Sequence, residues 1–267
     1  MDNLKIVVLA KQVPDTRNVG KNAMKEDGTI NRAALSAIFN PEDMNALEQA
    51  LRIKDKNPNT SIELLTMGPD RAADIIREGL FRGADGGILL TDRKFAGADT
   101  LATSYALSQA LRKMQPDLII AGRQAIDGDT AQVGPQVAEK LGWPQITYAE
   151  EVLSLENNVI TVKRRLENGV EEVACPLPLV ITVHGSAAPC RPRHAKRLMK
   201  YKMAQVSEWG VADVGGDEQQ YGLSGSPTKV KKIENIVFQA KESKRLSASE
   251  AEINDLIQEL MSNHTIG

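Results

Sequence analysis

The sequence predicts an α/β protein built on a doubly wound, mostly parallel sheet, a Rossmann-like adenine-nucleotide-binding architecture, and three observations carry that prediction. Short apolar runs recur at residues 5–10, 61–67, 88–90 and 118–121, each the length of a buried parallel strand. Segments with helically spaced apolar positions separate them, at 40–53, 70–82 and 101–114, joined by short connections. Glycine then breaks the pattern where strands end, at Gly68 and Gly122.

Each element follows in order. Residues 5–10 read as a central strand and 11–17 as the loop at its carboxyl end, the edge that faces the ligand crevice of an open α/β sheet. Residues 18–39, polar around Asp27-Gly28 and Thr29-Ile30, read as a β-ribbon excursion. Asn40-Pro41 opens a helix with Asn40 as its N-cap and Pro41 at the first position, continuing through Met44, Leu47, Ala50, Leu51 and Ile53. The strand at 61–67 stops at Gly68-Pro69, the helix over 70–82 at Gly83, and residues 88–90 form the third strand. Asp99 or Thr100 caps the helix over 101–114, and Pro116-Asp117 leads into the fourth strand.

From Trp143-Pro144 the grammar changes. Residues 151–155, 159–166 and 171–174 alternate apolar and polar around Asn157-Asn158 and Asn168-Gly169, an antiparallel meander. Residues 179–184 return as a strand to the main sheet, and 190–200 form a basic segment leading into a short helix. Residues 205–230, rich in glycine, do not suit a core of their own and read as a disordered linker or an arm wrapping another subunit, with the scattered Trp209, Tyr221 and Leu223 favouring the arm. A last amphipathic helix spans 247–261, with Ser247 as N-cap, Glu250 completing a capping box, and Ile253, Leu256, Ile257 and Leu260 in one stripe. The expected division is an α/β domain over 1–204 and an arm with a helix over 205–267 that packs on a partner subunit.

Composition narrows the function. Thirty-three basic and 35 acidic residues leave a net charge of −2, which excludes a nucleic-acid footprint. No apolar run approaches the roughly 20 residues of a membrane span, and the run at 4–10 is closed too soon by Lys11 for a leader. Cys175 and Cys190 lack metal-ligand spacing and suit a reducing compartment, so a cytoplasmic protein without a metal is expected. His184 reads as structural, the basic run Lys163-Arg164-Arg165 as a solvated face, and no catalytic constellation stands out.

Residues 118–141, LIIAGRQAIDGDTAQVGPQVAEKL, organise the rest: a buried strand, a polar loop holding Gly128, and a helix with Val133, Val137, Ala138 and Leu141 on one face. Glycines permit close backbone approach, and the free N–H groups of a first helical turn attract phosphate. Asp127 and Asp129 can accept from ribose hydroxyls or an adenine amino group, and Thr130 can donate to phosphate. The loop is neither GxGxxG nor a Walker A loop, and an ordinary βα turn with Asp129 or Thr130 as a cap is an equal reading. The start at Asp99-Thr100 is a second helix end aimed at the same crevice.

The run 122–132, GRQAIDGDTAQ, resembles the nucleotide-binding signature of electron-transfer flavoprotein β subunits. Lys11-Gln12-Val13-Pro14-Asp15-Thr16 is similar to that family's first loop, and Asn40-Pro41-Glu42-Asp43 with Ala46, Glu48 and Ala50 to its first helix; the resemblance runs in order from residue 5 to about 205. It implies cofactor contacts from Ala10, Asn40, Asp43, Met67, Asp99, Thr100, Gly122, Arg123, Gln124, Asp127, Gly128, Asp129, Thr130, Ala131, Gln132, Val133 and Gly134. Ala10 would meet an adenine edge, and Arg123 would neutralise pyrophosphate or reduced-flavin charge, its plain alternative being a surface arginine. The segment Gly97-Ala98-Asp99-Thr100-Leu101-Ala102-Thr103 and the small Gly128 resemble the bifurcating branch, which holds FAD where the simple branch holds AMP.

On that resemblance, bound FAD exchanges hydride with NAD(H), sending one electron to ferredoxin and one through the FAD of an α subunit to a flavin-linked dehydrogenase of acyl-CoA or lactate type; confurcation is the reverse. The cofactor carries the chemistry, which fits a chain without an acid–base pair. The basic stretch implies a partner-docking loop with Arg193, Leu198 and Lys200, although it is about two residues shorter than in the simple branch. The alternatives are a simple carrier subunit with structural AMP and a non-redox adenine-nucleotide-binding module.

Overall fold

The computed structural model describes residues 3–15, 36–228, 245–247, 249–263 and 265. One nine-stranded sheet organises them. Its parallel part comprises β1 (Leu4–Leu9), β4 (Thr60–Met67), β5 (Gly86–Leu90), β6 (Leu118–Gly122), β7 (Gln145–Glu156), β10 (Leu179–Val183) and β11 (Ser207–Trp209). The antiparallel meander continues from β7 through β8 (Val159–Leu166) and β9 (Gly169–Pro176). In space the order is β11-β5-β4-β1-β6-β10-β7-β8-β9. The chain builds outward from β1 through β4 and β5, then crosses back to place β6 on the other side of β1. That reversal opens a crevice at the carboxyl ends of β1, β4 and β6.

Alternation along β1 explains the two layers. Ile6 and Val8 face one core with Leu47, Ile62 and Ile76, while Val7 and Leu9 face a second with Leu107, Leu111 and Val137. Helices α1 (Pro41–Lys56) and α2 (Ala73–Arg82) cover the first face; α3 (Thr100–Met114) and α4 (Val133–Leu141) cover the second. Strands buried on both faces read as continuous apolar runs, which is why the central ones were legible in sequence.

Short pieces complete the structure. Strand β2 (Gln12–Pro14), within the stretch 11–17 expected to be a loop, pairs antiparallel with β3 (Ala37–Phe39); most of the ribbon expected over 18–39, with Asp27-Gly28, lies outside the described residues. A 3₁₀ turn at Asp70–Ala72 precedes α2 where one continuous helix was expected. Helices α5 (Ala195–Tyr201), α6 (Val211–Val214) and α7 (Glu250–Ser262) follow. Ser249, not Ser247, caps α7 by accepting from the Glu252 N–H at 3.4 Å, while the Ser247 hydroxyl bonds the Glu252 carboxylate at 2.8 Å. Ile253, Ile257 and Met261 on α7 are exposed. No described helix is long and apolar enough to cross a membrane.

The sheet reaches past the expected domain end at residue 204. Strand β11 adds a parallel edge to β5, and Val211 and Tyr221 sit in the second core. Three aromatics hold the segment down: Tyr221 lies 5.3 Å from the Phe95 ring and 5.1 Å from Tyr105. Of the residues that favoured an arm in the sequence, Tyr221 is instead buried in this core, and Gly216 and Gly222 let the backbone lie close against the sheet domain.

Candidate functional site

The crevice is a cavity of about 420 Å³ at the carboxyl ends of β1, β4 and β6. Leu9, Leu65, Phe95 and Leu107 give it an apolar floor, and the starts of α3 and α4 both border it. Of the residues expected from sequence, Ala10, Asp43, Met67, Asp99, Thr100, Gly122, Arg123, Gln124, Gly128, Asp129, Thr130, Ala131, Gln132, Val133 and Gly134 line it; Asn40 and Asp127 do not. The Ala10 N–H is committed to the Leu65 carbonyl at 3.0 Å.

The loop between β6 and α4 has an unusual backbone. Asp129 and Ala131 adopt left-handed φ values of 49° and 53°, and right-handed Gln132 follows. A non-glycine residue rarely takes this conformation, and alternating hands turn successive N–H groups to one side, where they suit an anion. Among the described residues, the N–H groups of Thr130 to Gly134 meet no protein acceptor. Neither Asp129 nor Thr130 caps the helix, which starts at Val133 with Gln132 before it. Asp129 instead accepts from the Gln124 side chain at 2.8 Å, and the Thr100 hydroxyl donates to Gln132 at 2.8 Å, bridging the two helix starts.

Asn40 does not cap α1 with its side chain, contrary to the sequence reading. Its amide donates to the Gln124 carbonyl at 2.9 Å and accepts from the Ile126 N–H at 3.1 Å, so it pins the cavity loop from behind. Because Asn40 is fully buried, Asn40→Ala would strand both backbone groups and cost about 2 kcal/mol, read as a lower urea midpoint. An unchanged midpoint would show that the loop holds itself.

Charges around the mouth are paired. Asp127 receives the Lys11 ammonium at 2.7 Å, closing the loop after β1 against the loop after β6. Glu42 binds the Arg123 guanidinium at 3.1 Å and the Gln124 N–H at 2.9 Å. Partial burial works against the Arg123 charge, but Glu42 holds its pKa above the ordinary value, so Arg123 stays cationic with its charge shared. Tyr148 stands beside it, 5.5 Å from the guanidinium carbon, with a left-handed φ of 59° that no sequence signal announced.

At the base lies Asp43. It accepts from the Lys11 N–H at 2.8 Å and the Gly122 N–H at 3.1 Å, joining the ends of β1 and β6. Burial pushes its carboxyl up to about 7, against the bonds it accepts. Sequence reasoning missed Leu9, Leu65, Phe95, Thr103 and Leu107 in the lining. Leu9 and Leu65 were discoverable, since Leu9 ends β1 beside Ala10 and Leu65 lies two residues before Met67 on β4, pointing to the same face.

The expected docking residues lie apart from the cavity, on and before α5. Arg193 is bound to Glu78 at 2.8 Å, and Arg191 to Glu48 at 3.0 Å and Asp55 at 2.7 Å, fastening the segment to α1 and α2. Leu198 is half-buried and Lys200 exposed, whereas Met199 and Met203 are 83% and 86% exposed and present the apolar surface here. Among the described residues no His/Cys/Asp/Glu group has the makings of a metal site.

A mostly parallel sheet covered by helices on both faces, with a crevice at the carboxyl ends of its strands, defines an α/β protein of the doubly wound class. Residues 27–214 match the electron transfer flavoprotein domain. The chain is 47% identical over 237 residues to the electron transfer flavoprotein subunit beta of Megasphaera elsdenii, covering 86% of this chain and 87% of that one. It is 42% identical over 228 residues to the caffeyl-CoA reductase-Etf complex subunit CarD of Acetobacterium woodii, covering 85% and 86%. Over 276 aligned residues it is 38% identical to the acryloyl-CoA reductase electron transfer subunit gamma of Anaerotignum propionicum, covering 98% and 100%. The chain belongs to the electron-transfer flavoprotein β-subunit family.

Proposed function

We propose that the cavity takes FAD and that the chain serves as the β subunit of a bifurcating or confurcating electron-transfer flavoprotein. The observation that carries this reading is the run of amides from Thr130 to Gly134, unpaired among the described residues, beside an apolar floor: a planar ring suits the floor, and a diphosphate suits the amides. Room at the loop supports it, because a Cβ added at Gly128 would meet nothing within 4 Å. The amides of Thr130 to Gly134 and the Thr100 hydroxyl would hold phosphate oxygens, with Arg123 near the loop. Bound FAD would supply hydride exchange with NAD(H) and one-electron delivery to ferredoxin and, through the FAD of an α subunit, to a dehydrogenase of acyl-CoA or lactate type. This chain's residues bind and orient the cofactor and shield its ring from water with Leu9, Leu65 and Phe95.

The names of the two reductase-complex relatives support a committed assembly with a reductase rather than a freely diffusing carrier. Under this reading the exposed stripe of α7 covers against the α subunit, and Met199 and Met203, beside Arg193, Leu198 and Lys200, meet the dehydrogenase. The simple branch, with AMP in the same cavity, is the competing reading. Family membership weighs against a non-redox module.

Denaturing the co-purified αβ heterodimer and resolving the released nucleotides by chromatography tests the proposal. Two FAD and no AMP per heterodimer are expected. One FAD with one AMP would sink the bifurcating reading and leave a simple carrier.

A further inference from the structure

We infer that residues 221–228 form a strap that positions one wall of the cavity, with Ser226 and Thr228 as positioning residues for nucleotide binding; this rests on the nucleotide reading of the cavity. The wall is the loop 95–100 at the start of α3, and the strap holds it at successive points. Tyr221 packs edge-on behind Phe95, whose side chain lines the floor. The Leu223 N–H donates to the Ala96 carbonyl at 3.1 Å, and Gly97, left-handed at φ 74°, sits against the Leu223 side chain. Buried Ser226 accepts from the Asp99 N–H at 2.9 Å and donates to the Gly222 carbonyl at 2.7 Å.

Asp99 shows why this is positioning rather than contact. One carboxylate oxygen accepts from the Leu101 and Ala102 N–H groups at 3.0 Å each, capping α3. The other accepts from the Thr228 N–H at 3.2 Å and hydroxyl at 2.8 Å. Burial opposes the charge, yet these donors hold the Asp99 carboxyl below its usual range, so it stays a carboxylate. Four protein donors occupy its two oxygens, so Asp99 transmits the strap's position to α3 instead of binding a ligand hydroxyl. The strap's own turn depends on Gly222: at φ 53°, a Cβ there would collide with the Lys94 and Ala96 carbonyls.

The test uses the co-purified heterodimer, with FAD and AMP as titrants after the bound nucleotide is removed. Ser226→Ala/Thr228→Val is expected to weaken binding of the resident nucleotide roughly tenfold, because it removes the charge-assisted Thr228 bond and both bonds of buried Ser226. Thr228→Ser, which keeps the hydroxyl, should bind like the unaltered protein; the thermal midpoint of the nucleotide-free heterodimer should change little in the Thr228 variants and fall modestly in the double variant, where loss of the buried Ser226 hydroxyl leaves two backbone groups unpaired. Thr228→Val alone, at an exposed position, keeps the test available should the double variant not assemble, with weaker binding again expected. Unaltered affinity in these variants would overturn the strap's role while leaving the nucleotide reading intact. Loss of affinity matched by collapse of the nucleotide-free midpoint would also overturn it, assigning the strap to folding alone. An unaltered heterodimer that binds neither FAD nor AMP would overturn the underlying reading itself.

Discussion

Gly122→Ala is expected to destabilise the protein by about 3 kcal/mol or more and, on the proposed function, to abolish nucleotide binding in the cavity. Gly122 is the last residue of β6, where the first turn of α1 passes directly over the strand. An added Cβ would stand 2.8 Å from both the Asp43 backbone nitrogen and the Glu42 carbonyl carbon, and closer still to the Asp43 carboxylate. Backbone atoms cannot rotate aside as a side-chain end can. Relief therefore requires α1 to lift from the sheet, which breaks the Gly122 N–H bond to Asp43 and shifts Glu42 away from Arg123 and Gln124. Urea denaturation and nucleotide content after gel filtration would measure both losses. Gly128→Ala is the contrast: with open space around that position, stability should stay within about 0.5 kcal/mol. Equal stability of the two variants would show that α1 is free to yield.

Raising the pH from about 5 to about 8 is expected to lower stability through Asp43, by an amount on the order of 2–3 kcal/mol at most. Its carboxyl moves from an ordinary 3.8 to about 7 in the folded protein, chiefly through burial. The unfolded chain therefore releases this proton first, near pH 4, while the folded chain keeps it until about 7. The contribution is full below the unfolded value and is lost as pH rises through the folded one. Carboxylates with lowered values, such as Glu48 and Asp99, act in the opposite sense below about pH 4.5 and leave this window flat. Asp43→Asn should remove the slope between about pH 5 and 8 in a series of thermal midpoints. A slope that survives the substitution would place the titration elsewhere.

Much of the architecture was written in local pattern. The strands at 5–10, 61–67 and 118–121 declared themselves because burial on both faces demands unbroken apolar runs, and the meander because half-burial demands alternation. The cavity loop was legible because glycine and the start of a helix advertise an anion-receiving backbone. Reading fell short where a residue had two local roles of similar cost. Asn40 satisfies every sequence rule for a cap, yet its side chain reaches residues 124 and 126, because the loop after β6 comes to rest against it. Ser247 and Ser249 offer the same chemistry two residues apart, and the start of the helix picks between them.

By itself, then, the sequence determined the class of this protein: a doubly wound α/β chain of the electron-transfer flavoprotein β-subunit family, with one glycine-bearing loop at its centre. Only the tertiary structure decided which residues surround the cavity and which merely support it. Asp127 turned to Lys11, Asp99 was filled by Thr228, and residues 207–228 folded back onto the sheet in place of extending as an arm. The physical reason is separation along the chain. Periodicity and capping are local and can be read within a turn or two, whereas Asp99 and Thr228 lie 129 positions apart and meet only after the sheet has formed.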